Sequence, residues 1–241
     1  MDVHKPKPIH GWREFLKEVG IIVLGVLIAL GAEQAVARLH ELRLADETRA
    51  TARAELSAAL HNFIDRRAIQ ACIDRRLDEV SGLLLAADKP GYVAPHWIGR
   101  PQEWGLVTAG WDAAAQGGRV ALLTDKEQAE LGGLYVRLRE LYVDQNEEQK
   151  AWAELRQLED QPRVDPAMKA AVRSALQQAR FVNWEVRVDL EMAELSAEQL
   201  HIVKPPTGYR GSPSICLPLD TPRAEALAKI GAFFHDTLGE P

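Results

Sequence analysis

Val19 to Ala32 reads VGIIVLGVLIALGA, 14 residues without a charge, and its reading decides what kind of chain this is. Alone the run is shorter than the roughly 20 residues that a helix needs to cross a hydrocarbon core. Its flanks lengthen it. Phe15 and Leu16 precede it, Ala35, Val36 and Ala37 follow it, and Lys17 can snorkel its ammonium to headgroup level while its stem lies along lipid. Phe15 to Ala37 makes 23 residues, about 34 Å of helix, which suffices for one crossing. Two other readings compete. A buried core helix seldom carries three glycines, Gly20, Gly25 and Gly31, in so apolar a run, whereas membrane helices tolerate them. A cleaved signal peptide has some support, because Ala29-Leu30-Gly31 resembles a small-x-small cleavage site. However, the leader is long, contains Glu14 and Glu18, and continues into a further helical pattern. The expectation is an uncleaved anchor over 15–37, between a short N-terminus (1–14) and a larger domain (38–241).

Lys5, Lys7, Arg13 and Lys17 precede the apolar run, against Arg38, Arg43 and Arg49 just after it. This slight bias predicts a cytoplasmic N-terminus and an exported 38–241 domain. Both cysteines, Cys72 and Cys216, then lie on the exported side. They are a candidate disulfide in an oxidising compartment, and two unrelated buried thiols is the alternative. Two cysteines are too few for a disulfide-dense scaffold or a four-thiolate zinc site.

The 241 residues are 46% hydrophobic, 27% charged and 6% aromatic, with a net charge of −6. Residues 1–14 sum to +1 and 15–37 to −1, so 38–241 carries the full −6. An acidic domain lacks the basic footprint that binding to a phosphate backbone requires, which argues against nucleic acid as a partner.

No Gly or Pro occurs between Ala32 and Ser81. Leu56, Leu60, Phe63, Ile73, Leu77, Val80 and Leu84 follow three- and four-residue steps, interrupted at Arg67 and Gln70, and predict a long helix over about 38–87 continuing from the anchor. Asp88 to Gly105 is loop by composition, with Pro90, Pro95 and Pro101. A short helix is expected over 102–116, placing Trp104 and Trp111 on one face and ending at Gly117-Gly118. Thr124-Asp125-Lys126-Glu127 has capping-box spacing and opens a helix over 125–160. Its seam of Leu131, Leu134, Leu138 and Leu141 passes through polar Gln145 and Glu148 to Trp152 and Leu155. Asp165-Pro166 caps a helix over 166–203, with Ser196 as a candidate break. Pro-rich chain from Pro205 leads to Thr221-Pro222 and a last helix over 222–238 with Leu227, Ile230 and Phe234. No strand signal competes beyond short runs such as Arg119 to Leu123. The expected fold is all-α: a transmembrane helix running into a long helix and packed with others as an elongated bundle.

Glu18 to Leu30, EVGIIVLGVLIAL, followed directly by a long helix, resembles the N-terminus of uncharacterised single-pass bacterial inner-membrane proteins. Val107 to Tyr135, VTAGWDAAAQGGRVALLTDKEQAELGGLY, is similar to their middle segment: a small-residue and aromatic helix, a glycine break, and a helix ending in Tyr. Those families are domains of unknown function without assigned catalytic residues. The resemblance therefore implies a location and an architecture but no activity.

The chemistry-bearing patterns are sparse. Glu198 and His201 have the ExxH spacing of carboxylate-bridged di-iron bundles, but no second ExxH exists, and solvated polar positions are the simpler reading. His40-Glu41 lacks the second histidine of a zinc-protease helix, and neither a Walker A motif nor a G-x-S-x-G elbow is present. Asp65-Arg66-Arg67 and Asp74-Arg75-Arg76 repeat at nine residues, which places equivalent positions on opposite helix faces and makes no basic stripe. Arg75 and Glu79 read as a surface ion pair. Gly25 and Ala29 form a small-xxx-small pair for membrane-helix packing. Trp97, Trp104 and Trp111 are candidates to line a pocket or interface, or to cap the bundle.

Taken together, the residues predict a non-enzymatic interaction or scaffold protein, anchored in the bilayer, with no cofactor or metal and with a protein partner or a second copy. The alternative is a periplasmic small-molecule sensor or accessory subunit, with the Trp-bearing loops over a pocket.

Overall fold

In the computed structural model the N-terminal apolar run and the segment after it form one helix, α1 (Trp12–Ala68, 57 residues), about 85 Å long. The structure describes residues 11–203 and 213–238, without the side chains of residues 63, 64, 213 and 234–238. Lys5, Lys7, Pro205 and the side chains of Phe63 and Phe234 thus lie outside the described residues. The apolar window of α1 has a mean hydropathy of 2.2 and is 0% buried. Ile21, Ile22 and Ile28 stand 63–70% exposed. That argues against the core-helix reading, because nothing among the described residues covers this surface. Packing starts at Ala45 and continues through Ala52, Leu56, Ala59 and Leu60, all buried.

The single helix expected over 38–87 is two helices. Ile69, with φ −97° and ψ 2°, separates α1 from α2 (Gln70–Ala86). The break falls inside the interruption at Arg67 and Gln70, and it turns Ile69 inward to 3% exposure. A straight helix would keep the α1 phase, in which polar residues occupy the core-facing positions at this point.

The helix expected over 102–116 is also shorter: α3 spans only Ala109–Gln116. Side chains of other helices hold the preceding backbone in non-helical form. Gln149 Nε2 donates to the Pro101 carbonyl at 3.0 Å, Gln145 Nε2 to that of Trp104 at 2.9 Å, and Asn62 Nδ2 to that of Gly105 at 3.3 Å. Glu55 of α1 accepts from the Gly110 and Trp111 amides at 2.7 and 3.1 Å, so a carboxylate from another helix satisfies the N-terminus of α3. Gly118, at φ +72°, turns the chain into the 3-10 turn Arg119–Leu122, where the sequence offered a short strand-like run.

Thr124 and Glu127 form the reciprocal capping box that opens α4 (Asp125–Leu155). Arg49 hydrogen-bonds the same Glu127 carboxylate at 2.6 Å, and with the Thr124 amide holds its pKa down to about 2. Asp165 caps α5 (Pro166–Gln199), accepting from the Met168 amide at 2.8 Å. The helix runs unbroken through Ser196, whose hydroxyl donates to the Met192 carbonyl at 2.9 Å, and ends four residues short of the expected 203. The last helix, α6, is Arg223–Leu238. Among the described residues there is no strand.

Two cores are stacked along the molecule. The first joins α1 (Ala45–Leu60), the start of α4 (Leu131–Leu141) and the end of α5 (Val182–Ala197). The second joins α2 (Ile73–Leu84), the end of α4 (Ala151–Leu155) and the start of α5 (Val172–Ala179). Helix α4 therefore runs away from the apolar part of α1 and α5 returns toward it.

Candidate functional site

The tryptophans part company in space. Trp97 and Trp104 line a cleft of about 560 Å³ between the 97–105 loop, Tyr142 of α4, Arg156 at the end of α4, and Arg223, Leu227 and Ile230 of α6. Trp111 is elsewhere: it stacks on Tyr135 in the first core, with ring centroids 4.7 Å apart. Trp104 and Trp111 do not share a helix face, because residue 104 lies in the non-helical segment before α3.

The cleft depends on charges whose burial the sequence did not reveal. The guanidinium of Arg76 is wholly buried and donates to the carbonyls of Trp97, Ile98 and Leu217. It thereby joins the 97–99 loop to the C-terminal segment. One helical turn from Arg76, the Cys72–Cys216 disulfide, with Cα atoms 5.0 Å apart, ties α2 itself to the C-terminal segment. Trp97 Nε1 donates to the Ser214 carbonyl at 2.8 Å. Glu159, 8% exposed, accepts from the Ile98 amide at 3.0 Å and from Arg156 Nε at 2.9 Å, and lies 3.6 Å from Arg223. Arg156 also sits 5.4 Å from the centroid of the Trp97 ring, a cation–π distance. Arg100 completes the rim, bonded to the Gln149 amide oxygen at 2.5 Å and 3.8 Å from Glu103. Three guanidiniums thus face two carboxylates, a local positive surplus on a domain whose net charge is −6.

A second polar group lies between the two cores. Arg66, 2% exposed, donates to Glu148 at 2.6 Å and to Asn183 at 2.9 Å, and Glu148 is 0% exposed. Asn183 also meets Gln70 and Asp74, each at 3.0 Å. The hydrophilic middle of the α4 seam was legible from spacing. That Arg66 and Arg76 are buried was not: Arg66 continues the α1 row of Ala52 and Ala59, and Arg76 takes its direction from the break at Ile69. Arg75 keeps its expected surface pairing with Glu79, at 3.6 Å.

Asp65 is buried beside this group, and one of its oxygens lacks a partner. Burial pushes its carboxyl up from 3.8 to about 6, only partly offset by His61. Below about pH 4 the folded and unfolded chains both hold the proton. As pH rises to about 6 the unfolded chain releases it first, so folding stability falls across that window and stays lower above it. Asp65→Asn should therefore gain on the native protein by roughly 1 to 3 kcal/mol between pH 4 and pH 7. Denaturant unfolding at several pH values measures this, and a constant difference would refute it.

Among the described residues no cluster of three or more His, Cys, Asp or Glu suits a metal ion. Glu198 lies in α5, whereas His201 follows its end at φ 52°, so the ExxH spacing places no pair on one face. His96 Nδ1 and Asp160 Oδ1 meet at 2.6 Å, both about half-exposed, where the Asp160 amide donates to the Pro95 carbonyl. This pair ties two loops together. Gly25 and Ala29 lie on the bare part of α1, with nothing within 4 Å of a side chain built on Gly25.

The fold defines the class: an all-α protein in which one long apolar N-terminal helix, an anchor or a signal, leads into a disulfide-tied helical body. These features are consistent with an exported domain. No family model, curated protein or solved structure matches the chain.

Proposed function

We propose that this is a single-pass protein of the bacterial inner membrane, with its N-terminus in the cytoplasm and its helical domain in the periplasm. It acts there as a non-catalytic interaction or scaffold subunit. The observation that carries this reading is an apolar stripe on the outer face of α5: Phe181, Trp184, Val188, Met192 and Leu195 are all exposed. A surface helix normally gives its outer face to polar residues, and an exposed apolar row of this size marks a contact surface. The uncovered apolar half of α1 supports the anchor, and Gly25 and Ala29 allow a second helix to approach it in the bilayer. A photo-crosslinking residue at Trp184 in native membranes should yield a covalent adduct with a protein. Recovery of monomer alone would overturn the reading.

The cleft favours a second reading, a small-molecule sensor or accessory subunit. Its volume lies within the range of ligand sites, and it combines an aromatic and aliphatic wall with surplus guanidinium. The ligand chemistry it suits is a monoanion with a flat apolar body. Naphthalene-2-sulfonate should bind the intact protein, and neutral naphthalene-2-methanol should bind about tenfold more weakly. Arg100→Gln with Arg223→Gln, both at exposed side chains, should remove that preference. Equal affinity for the two probes in calorimetry would dispose of the sensor reading.

A further inference from the structure

Helix α5 has two apolar faces. Val172, Ala175, Leu176, Ala179, Val182, Val186 and Leu190 are buried against the bundle. Phe181, Trp184, Val188, Met192 and Leu195 are 54, 52, 38, 43 and 48% exposed. At 100° per residue the exposed five fall in a stripe roughly 80° wide, nearly opposite the buried face, and extend along about 21 Å of helix. Phe181, Val188 and Leu195 are seven residues apart, and Trp184 lies three after the first. This is the a and d spacing of a two-stranded seam.

We propose that the occupant of this face is a second copy of the same chain, packed with its α5 parallel and in register along a two-fold axis normal to the membrane. The proposal rests on the anchored-scaffold reading and names its partner. A two-fold interface requires a patch that is complementary to itself, and a heptad-spaced apolar row meets that condition. Two copies rooted in one bilayer have α1 pointing the same way, so their α5 helices also run the same way, which excludes an antiparallel seam.

The flanking charges suit this register. Arg180 and Arg187 occupy positions preceding the a residues, and Glu185 follows Trp184. In a parallel pair such positions meet across the seam, so Arg180 faces the partner's Glu185. Arg180 now makes only a surface contact, with Asp78 at 3.0 Å. Glu185 lies in an acidic group: with Asp189, Glu140 and Glu147 it adds to burial in raising the Asp144 carboxyl. A guanidinium from a second copy would relieve that repulsion. If wholly covered, the five side chains would together lose roughly 450 Å² per copy, about 900 Å² in all, near the lower bound for a specific interface. Confinement to the membrane raises the effective concentration of the two copies further. Between Phe181 and Leu195, Glu191 is the charged residue at a d position and would face its own equivalent.

The test uses the full-length protein in membranes. Cys72 and Cys216 are bonded to each other, leaving no free thiol. Phe181→Cys, Val188→Cys and Leu195→Cys, made singly, should each give a reducible dimer on mild oxidation, and Lys126→Cys on α4 should not. Trp184→Lys should lower the Val188→Cys dimer about tenfold, and Glu191→Leu should raise it at least about twofold, with unchanged circular dichroism. Dimer at Val188→Cys alone, with Phe181→Cys linking only to Leu195→Cys, would mean an antiparallel pair and overturn the proposal. No dimer at any of the three positions would also overturn it. If the Trp184 photo-adduct contains a different protein, the second copy is refuted while the scaffold reading stands; if neither experiment yields an adduct, both fail.

Discussion

Glu148→Leu should cost the helical body about 3 to 5 kcal/mol, because it leaves a buried guanidinium without its counter-charge. Arg66 Nη2 is 2.6 Å from Glu148 Oε1, and the two side chains are 3% and 0% exposed. Without the carboxylate, Arg66 keeps only the amide oxygen of Asn183, at 2.9 Å. Burial disfavours both charges, raising the Glu148 carboxyl and lowering Arg66, while their mutual attraction opposes it. The prediction therefore has a second half. Arg66→Met combined with Glu148→Leu should recover most of the loss, because well-packed apolar groups of similar volume are often neutral in place of a buried pair. Arg66→Met alone should resemble Glu148→Leu. In a thermal scan the single variants should melt roughly 6 to 20 °C lower than the native protein and the double variant close to it. Strictly additive losses would show that the pair is not coupled.

Removing the disulfide by Cys72→Ser with Cys216→Ser should cost about 2 to 5 kcal/mol, toward the upper end because the closed loop is long. The two half-cystines are 144 residues apart and tie α2 to the 3-10 turn Pro213–Cys216. The loss should be local before it is global. The same C-terminal segment receives Arg76 at the Leu217 carbonyl and Trp97 at the Ser214 carbonyl. It also leads into α6, where Ala226 and Ile230 form a small core with Trp97 and Leu217. Hydrogen exchange should therefore rise first in α6 and the 97–105 loop, which form the cleft wall, while the α4–α5 hairpin stays protected. Uniform loss of protection would mean that the bridge stabilises the whole bundle equally. Reduction of the native protein should give the same pattern, so naphthalene-2-sulfonate binding, if the cleft supports it, should weaken with reductant.

Both effects depend on residues that a linear reading treats unequally. The cysteines were visible as a pair on one side of the apolar run, although spacing alone left a bridge and two separate thiols equally open. Arg66 and Arg76 belong to a repeated Asp-Arg-Arg motif whose nine-residue spacing says only that the two copies make no single basic stripe. Arg66 continues the core-facing row of α1 itself, seven residues after Ala59, whereas the burial of Arg76 follows from the break at Ile69, where α2 begins at a new rotation. The cleft was half visible. Trp97 and Trp104 belong to it, but Arg100, Arg156 and Arg223 come from three separate parts of the chain: Arg156 and Arg223 meet at Glu159, and Gln149 of α4 holds Arg100. The outer stripe of α5 was within reach of the sequence, since Phe181, Trp184, Val188 and Leu195 carry the period. The inner face of the same helix already accounts for an amphipathic pattern, so the second row does not stand out in the sequence.

By itself the sequence determined the features that short-range chemistry decides. These are the all-α class, the uncharged run at 19–32, the Thr124–Glu127 and Asp165 caps, and the glycine turn after α3. Each depends on groups within a few residues of one another, so the local order of side chains is sufficient. Only the tertiary structure decided where α1 breaks, that residues 101–108 stay non-helical, that Trp111 leaves the cleft, and which of the many arginines are buried. For the segment before α3 and for the buried arginines, partners far away in the chain take part. Gln145 and Gln149 take the carbonyls before α3, Glu148 takes Arg66, and the Leu217 carbonyl takes Arg76. A polar group moves inward when a distant partner offsets its desolvation, and that partner can be named only once the chain is folded.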